Sequence, residues 1–159
     1  PIHTGQVAWI RSIWPNARFI HIHRNPYVVF ESTRNFYRKL LPAYALQPYD
    51  IEAAEPLILD AYPRMLKRLY ADTDDLPAHQ FIEITYDELD VQPLACLARI
   101  YEQLGLEGFE NIEKNLRGYL DSIRGYKKNP HQFTAETLDR VDAAWGEYLA
   151  RWGYERPNQ

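Results

Sequence analysis

The chain has 159 residues, of which 46% are hydrophobic and 25% are charged, and this composition is typical of one ordinary globular domain. It excludes a disordered tail, a collagen-like or mucin-like segment and a repeat array. The formal net charge is −4, which argues against a broad basic surface for nucleic acid. We therefore expect no nucleic-acid partner, and we expect any anion site to be a local cluster of cations.

Cysteine content and hydropathy limit the compartment. Cys96 is the only cysteine, so an intrachain disulfide and a cysteine-based zinc site are both excluded. No apolar run approaches the roughly 18 residues that a membrane-spanning helix needs. These features predict a cytoplasmic protein without a membrane span, in which Cys96 is a buried small apolar residue.

The first half of the chain opens with a strand and a helix. Residues 17–23 are rich in β-forming side chains and predict a strand. Asn25-Pro26 then predicts a helix start, because asparagine caps helices well and proline is tolerated in the first turn. The helix is expected to run from Tyr27 to about Leu41 and to end at Pro42.

A second helix is predicted over residues 51–71, where apolar residues recur at steps of three and four. Pro56 is an alternative position for its start. The acidic run Asp72–Asp75 predicts a solvated turn, since its spacing does not fit a calcium loop. Residues 81–85 predict a second strand.

The remainder of the chain is helix-rich. One helix is predicted to end at Gly105, a short one to cover residues 110–119, and a polar loop to cover residues 124–132. Thr134 is expected to cap a last helix that ends at Gly153. Its apolar and aromatic stripe predicts core packing and consists of Leu138, Val141, Trp145, Tyr148 and Trp152. Two strands separated by helices predict a single α/β domain with a parallel sheet over residues 1–159.

Arg24 is the strongest candidate for chemistry. It follows a predicted strand at the carboxyl end, where open α/β sheets bind ligands, and it precedes a helix N-terminus. Ser32 lies two turns into that helix. An arginine fork, a helix N-terminus and a hydroxyl are typical of a phosphate or sulfate site. The pattern fits equally well with an Arg24 that pairs with a carboxylate and a Ser32 that lies on the surface.

His21 and His23 alternate on one face of the first strand. A metal pair is one interpretation, but no third ligand has convincing spacing, since His79 and His131 are distant in sequence. Polar groups satisfied inside the sheet are the better interpretation. We expect no metal.

Strand–Arg24-Asn25-Pro26–helix–Ser32, with serine eight positions after arginine, resembles the 3′-phosphate-binding motif of sulfotransferases that use 3′-phosphoadenosine 5′-phosphosulfate (PAPS). Three later stretches resemble the same family in the same order. They are the strand ending in Thr85-Tyr86-Asp87-Glu88-Leu89, the helix closing in Gly105-Leu106, and the segment from Lys128-Asn129-Pro130-His131 to Trp152-Gly153-Tyr154.

The resemblance implies a three-layer α/β fold similar to that of P-loop NTPases and a set of site residues. Arg24 and Ser32 would hold the 3′-phosphate, and Tyr86 matches a family tyrosine near the adenine, although a core tyrosine is an equal alternative. Lys127 and Lys128 match a basic loop over the same phosphate, with a solvated loop as the alternative. The implied reaction is sulfuryl transfer from PAPS to a hydroxyl or amine on a small-molecule, glycan or peptide acceptor.

His3 lies near the position of a family histidine that serves as general base. Sulfuryl transfer requires the acceptor to lose a proton, and histidine commonly takes a proton near neutral pH. The resemblance therefore implies a catalytic role for His3. A terminal histidine without a role is the competing interpretation.

The family's glycine-containing loop for the 5′-phosphosulfate has no counterpart in these residues, since Gly5 is the only glycine before Gly105. No Walker-type pattern is present either. This predicts the C-terminal portion of a sulfotransferase, truncated at its N-terminus and carrying the 3′-phosphate half of the site. A non-catalytic nucleotide-binding or interaction domain of the same fold is the alternative.

Overall fold

A computed structural model describes residues 2–48, 50–123, 125 and 132–157, without the side chains of Ile2 and Ile51. The described elements follow in chain order. They are a 3₁₀ helix Ile2–Gly5, α1 Val7–Ile13, β1 Phe19–His23, α2 Pro26–Tyr44, α3 Ile51–Thr73, β2 Phe81–Thr85, α4 Tyr86–Val91, α5 Pro93–Gln103, α6 Phe109–Ser122 and α7 Ala135–Trp152.

The two strands pair in parallel, as the sequence predicts. Phe19 lies opposite Phe81 and His23 lies opposite Thr85, so both strands reach their carboxyl ends at the same edge. Ile82 and Ile84 of β2 are buried and alternate with partly exposed neighbours. The predicted α/β class with a parallel sheet is confirmed.

The described residues divide into two compact units. The first unit contains the residues up to Arg24 and those from Arg68 to Gly125. The second contains residues Asn25 to Lys67 and those from Gln132 onward. The division falls between Arg24 and Asn25 and again inside α3.

The first unit buries one face of β2 against α5. Its apolar cluster consists of Ile82, Ile84, Cys96, Ile100 and Leu104. Cys96 is 2% exposed, which confirms its predicted burial. Gly105 has φ +59°, the left-handed conformation that closes a helix and favours glycine, so the predicted end of α5 is also confirmed.

The second unit has an aromatic core built on α7. Trp145 is fully buried and packs against Tyr62, with ring centroids 4.1 Å apart, while its Nε1–H donates to the Leu59 carbonyl oxygen at 2.8 Å. Phe30 packs edge-to-face on the same indole. The buried members of this core are Tyr27, Phe30, Ile58, Leu138, Val141, Trp145 and Leu149. Thr134 Oγ1 accepts from the Thr137 N–H, and Gly153 ends α7 at φ +68°, as predicted.

One proline-based helix boundary was predicted wrongly. α2 continues through Pro42 to Tyr44, because only the last turn follows the proline and the Ala45 N–H closes it on the Leu41 carbonyl oxygen at 2.8 Å. α3 begins at Ile51, as predicted, and not at the alternative start Pro56, because Asp50 Oδ1 accepts a hydrogen bond from the Glu52 N–H and thereby caps the first turn.

The acidic run at the end of α3 is only partly solvated. Asp72 is buried, pairs with Arg68 and accepts a hydrogen bond from the Ala8 N–H of α1 at 3.0 Å, whereas Asp75 is exposed and pairs with Arg11. The prediction of a solvated turn is therefore wrong for Asp72, because the N-terminus of α1, a helix that was not predicted, supplies a donor.

None of the described helices is both long enough and apolar enough to cross a bilayer.

Candidate functional site

Arg24 directly follows β1, and the strand register determines what lies beside it. Because His23 pairs with Thr85, the next residue of each chain segment, Arg24 and Tyr86, leaves the sheet at the same edge. The Arg24 guanidinium carbon lies 4.4 Å from the centroid of the Tyr86 ring, within the distance of a cation–π contact. The structure thus brings together two residues that are 62 positions apart in sequence.

The charge of Arg24 has no counter-ion in the part of the chain that the structure describes. The ion pairs formed there involve other arginines and histidine, and none of them includes Arg24. The alternative in which Arg24 pairs with a carboxylate is therefore not found among these residues. An arginine that is held by an aromatic face keeps its in-plane N–H groups available for an anion.

Asn25 begins the second unit and starts α2. Its side-chain oxygen accepts the Tyr27 N–H at 3.0 Å, and Pro26 occupies the first turn, as the sequence predicts. Ser32 lies in the second turn of α2 and its side chain is exposed.

His3 lies in the 3₁₀ helix and is exposed. Its Nδ1 is 3.1 Å from Gln6 Oε1. It lines a cavity of about 210 Å³. The first residues of both strands, Phe19 and Phe81, also line this cavity, as do Arg18 and His21. His3 therefore lines the same cavity as residues of β1, and the lining of that cavity does not include Arg24 or Tyr86.

A polar cluster on β1 and β2 accounts for the paired histidines. His21 Nδ1 donates to Glu83 Oε1 at 2.8 Å, and the Tyr70 hydroxyl donates to the same oxygen at 2.7 Å. Burial acts to raise the pKa of Glu83, but the hydrogen bonds from His21 and Tyr70 together hold it below its usual value. Burial lowers the pKa of His23, and the Glu83 carboxylate opposes that shift.

These contacts support the interpretation of His21 as a polar group satisfied inside the sheet. Within the described ranges, no three histidine, cysteine, aspartate or glutamate side chains are grouped closely enough to hold a metal ion. Sequence reasoning did not identify Glu83 and Tyr70 as partners, because only the strand register places Glu83 opposite His21.

A second cluster, in the second unit, was also not predicted. Glu55 is 5% exposed and accepts from Arg140 at 2.7 Å and from Arg34 at 3.5 Å. Arg34 also binds the buried Glu31, one turn earlier on α2. The spacing of Glu31 and Arg34 is a helical ion-pair signal that the sequence does contain, but the contact with Glu55 requires the tertiary fold.

Lys127 and Lys128, the predicted basic loop, lie outside the described residues. Of the predicted nucleotide-binding residues, the structure describes Arg24, Ser32 and Tyr86.

A parallel strand pair with an arginine at its carboxyl edge, held by an aromatic ring and without a described counter-ion, defines an α/β protein with a candidate anion site. Residues 1–111 match the model of the family described as "Sulfotransferase family". This match covers more than half of the chain, and the chain belongs to the sulfotransferase family.

Curated relatives and a solved structure agree with this assignment. The chain is 33% identical over 156 residues to omega-hydroxy-beta-dihydromenaquinone-9 sulfotransferase Stf3 of Mycobacterium bovis and of Mycobacterium tuberculosis, covering 98% of this chain and 40% of those proteins. The crystal structure of sulfotransferase STF9 from Mycobacterium avium matches all of this chain and 42% of its own, with a TM-score of 0.81 at 19% identity. The chain thus has a sulfotransferase fold and spans about two fifths of the length of these relatives.

Proposed function

We propose that this chain carries the 3′-phosphate-binding part of a sulfotransferase that transfers a sulfuryl group from PAPS to an acceptor and releases 3′,5′-ADP. The observation that carries the proposal is the Arg24 guanidinium, which lies at the carboxyl edge of the sheet against Tyr86, with no ion pair to a described carboxylate. A planar fork of this kind fits a phosphate dianion, because it donates two parallel hydrogen bonds.

Arg24 and Ser32 hold the 3′-phosphate in this proposal, and Tyr86 lies beside the nucleotide. The proposal assigns Lys127 and Lys128 to the same phosphate, and it treats residues 1–159 as part of one sulfotransferase domain. Family membership supports the assignments of Arg24, Ser32 and Tyr86, which lie within the residues that match the family model. No metal is needed for this role, because the cations are side chains.

The chemical step is an in-line displacement at sulfur. The acceptor oxygen or nitrogen forms a bond to sulfur while the bond from sulfur to the 5′-phosphate oxygen breaks, and 3′,5′-ADP leaves with that oxygen. The acceptor proton passes to a general base, a role that we propose for His3. The contribution of the protein is to position the reactants and stabilise the charge that develops on the leaving group.

We propose a small-molecule acceptor with a hydroxyl group. The Stf3 proteins are named for a hydroxylated menaquinone, and this chain is 33% identical to them over 156 residues. A hydroxylated polyprenyl quinone is therefore the first acceptor to test, ahead of glycans and peptides.

Transfer of labelled sulfate from PAPS, measured in the complete gene product with a panel of hydroxylated quinones, phenols and sugars, tests the function. We expect product to form with chelator present and no added magnesium, and none to form from ATP. His3→Ala is expected to lower kcat by about 10²- to 10⁴-fold, while His79→Ala, at an exposed histidine outside the proposed site, serves as the matched control. Full activity in the His3 variant would remove His3 from the mechanism, and absence of transfer to every acceptor would contradict the enzyme function.

A non-catalytic nucleotide-binding domain of the same fold is the second candidate. Binding of 3′,5′-ADP by the complete gene product without any sulfuryl transfer would favour this second candidate.

A further inference from the structure

We infer that Tyr86 is a positioning residue for Arg24: its ring holds the guanidinium in the plane that receives the 3′-phosphate. This inference rests on the proposed function and assigns a new role within it. The resemblance implies only that Tyr86 lies near the adenine. The geometry points instead to a contact between two protein side chains that exists before any ligand arrives.

The contact follows from the fold. His23 and Thr85 are the last paired residues of two parallel strands, so Arg24 and Tyr86 leave the sheet side by side. Tyr86 is fixed in turn, because it is the first residue of α4, and the Thr85 hydroxyl accepts the Glu88 N–H at 2.9 Å to cap that helix. The ring is therefore placed by a strand end and a capped turn.

The physical benefit concerns the entropy and the direction of the arginine. A free arginine side chain loses rotamer entropy when it is ordered by a ligand, and an aromatic face that already holds it reduces that cost. The guanidinium carbon lies 4.4 Å from the ring centroid, within cation–π distance. The ring offers no carboxylate oxygen to the guanidinium, and in this inference the N–H groups form the fork for phosphate.

The ion pairing of Arg24 agrees with this role. Arg99 of α5, by contrast, pairs with Glu88 at 2.6 Å. Arg24 has no such partner in the described part of the chain, and Tyr86 stabilises its charge through the electrons of the ring. An aromatic partner of this kind holds a cation without competing for its N–H donors, as a carboxylate does.

The test compares 3′,5′-ADP with 5′-AMP, which lacks the 3′-phosphate, by isothermal titration of the complete gene product. Tyr86→Leu removes the ring, and Tyr86→Phe keeps the ring and removes only the hydroxyl. We expect Tyr86→Leu to weaken 3′,5′-ADP binding about 3- to 30-fold, the range of a cation–π contact, and to leave 5′-AMP binding nearly unchanged. Tyr86→Phe is expected to bind both ligands like the unmodified protein.

A double-mutant cycle separates positioning from direct contact. If Tyr86 acts through Arg24, the effect of Tyr86→Leu disappears in an Arg24→Ala background. Tyr86→Met repeats the ring removal with a flexible side chain, so that the result does not depend on how Leu packs. The melting temperature of each variant checks folding.

Three results would overturn the inference: equal losses for both nucleotides in Tyr86→Leu and Tyr86→Met, a loss in Tyr86→Phe as large as that in Tyr86→Leu, or an undiminished effect of Tyr86→Leu in the Arg24→Ala background. The proposed function fails differently. In that case the unmodified protein shows no preference for 3′,5′-ADP over 5′-AMP.

Discussion

The two compact units differ in the kinds of side chain that they bury. The first has a small aliphatic cluster behind β2, and its polar residues His21, Glu83 and Tyr70 are bonded to one another across the strands. The second has an aromatic core centred on Trp145. The aromatic residues of the second unit therefore form its core, whereas Arg24 and Tyr86, the contact that carries the proposal, lie at the strand ends of the first unit.

The largest expected effect tests the second unit. Trp145→Ala removes a fully buried indole together with its hydrogen bond to the Leu59 carbonyl oxygen. We expect a loss of about 3–5 kcal/mol in the free energy of unfolding, measured by urea denaturation. Leu46→Ala, at a fully exposed leucine, is the control and should change stability by less than about 0.5 kcal/mol. A Trp145 variant as stable as this control would contradict the account of the core.

A smaller effect is expected at the start of α7. Thr134→Ala removes the hydroxyl that accepts the Thr137 N–H at 3.2 Å. The expected loss is about 1 kcal/mol, with Thr134→Ser retaining most of the stability. We expect Trp145→Ala and Thr134→Ala to lower the free energy of unfolding without changing the affinity for 3′,5′-ADP. An affinity that falls together with stability would contradict the distinction between the two units.

The sequence predicted the strands, the capped starts of α2 and α7, and the glycine that ends α5. These features depend on neighbouring residues, so local patterns were sufficient. The helix limit at Pro42 was wrong, because only the last turn of α2 follows that proline and the Ala45 N–H closes the turn. Asp72 was predicted to be solvated because its donor, the Ala8 N–H, lies 64 residues away.

The candidate site also depends on contacts between residues that are distant in sequence. Arg24 was identified from its position after a strand, but its contact with Tyr86 depends on the register of β1 against β2. The Glu55–Arg140 pair likewise joins α3 to α7 across 85 residues. Pairings of this kind carry no local sequence signal, and a single sequence does not contain the register.

The smallest expected effect is a pH dependence in the first unit. Burial lowers the pKa of His23 from 6.5 in the folded state, so below about pH 6.5 the unfolded state binds a proton that the folded state does not. Stability should therefore fall as the pH drops from 8 to 5.5. The side chain in His23→Asn does not titrate, so this variant should lose less free energy of unfolding between pH 8 and pH 5.5, as measured by urea denaturation. Equal falls in both proteins would show that His23 is not responsible.

Glu83 also makes the stability of the first unit fall as the pH falls. Its folded pKa is depressed, so its contribution is present above about pH 4.5 and is lost as the pH falls through the folded pKa. Glu83→Gln should therefore remove part of the stability difference between pH 5.5 and pH 3. That difference stays unchanged if Glu83 is not coupled to His21 and Tyr70.

The central claim is that Arg24 binds the 3′-phosphate of a nucleotide. Isothermal titration of the complete gene product with 3′,5′-ADP tests it, with Arg24→Ala, Arg24→Lys and, as a control, Arg64→Ala, which alters only an exposed ion pair with Asp60. Loss of a charge-assisted pair of hydrogen bonds should weaken binding in Arg24→Ala by about 10- to 100-fold, with a smaller loss in Arg24→Lys and none in Arg64→Ala. Equal affinity of Arg24→Ala and the unmodified protein for 3′,5′-ADP would contradict the account.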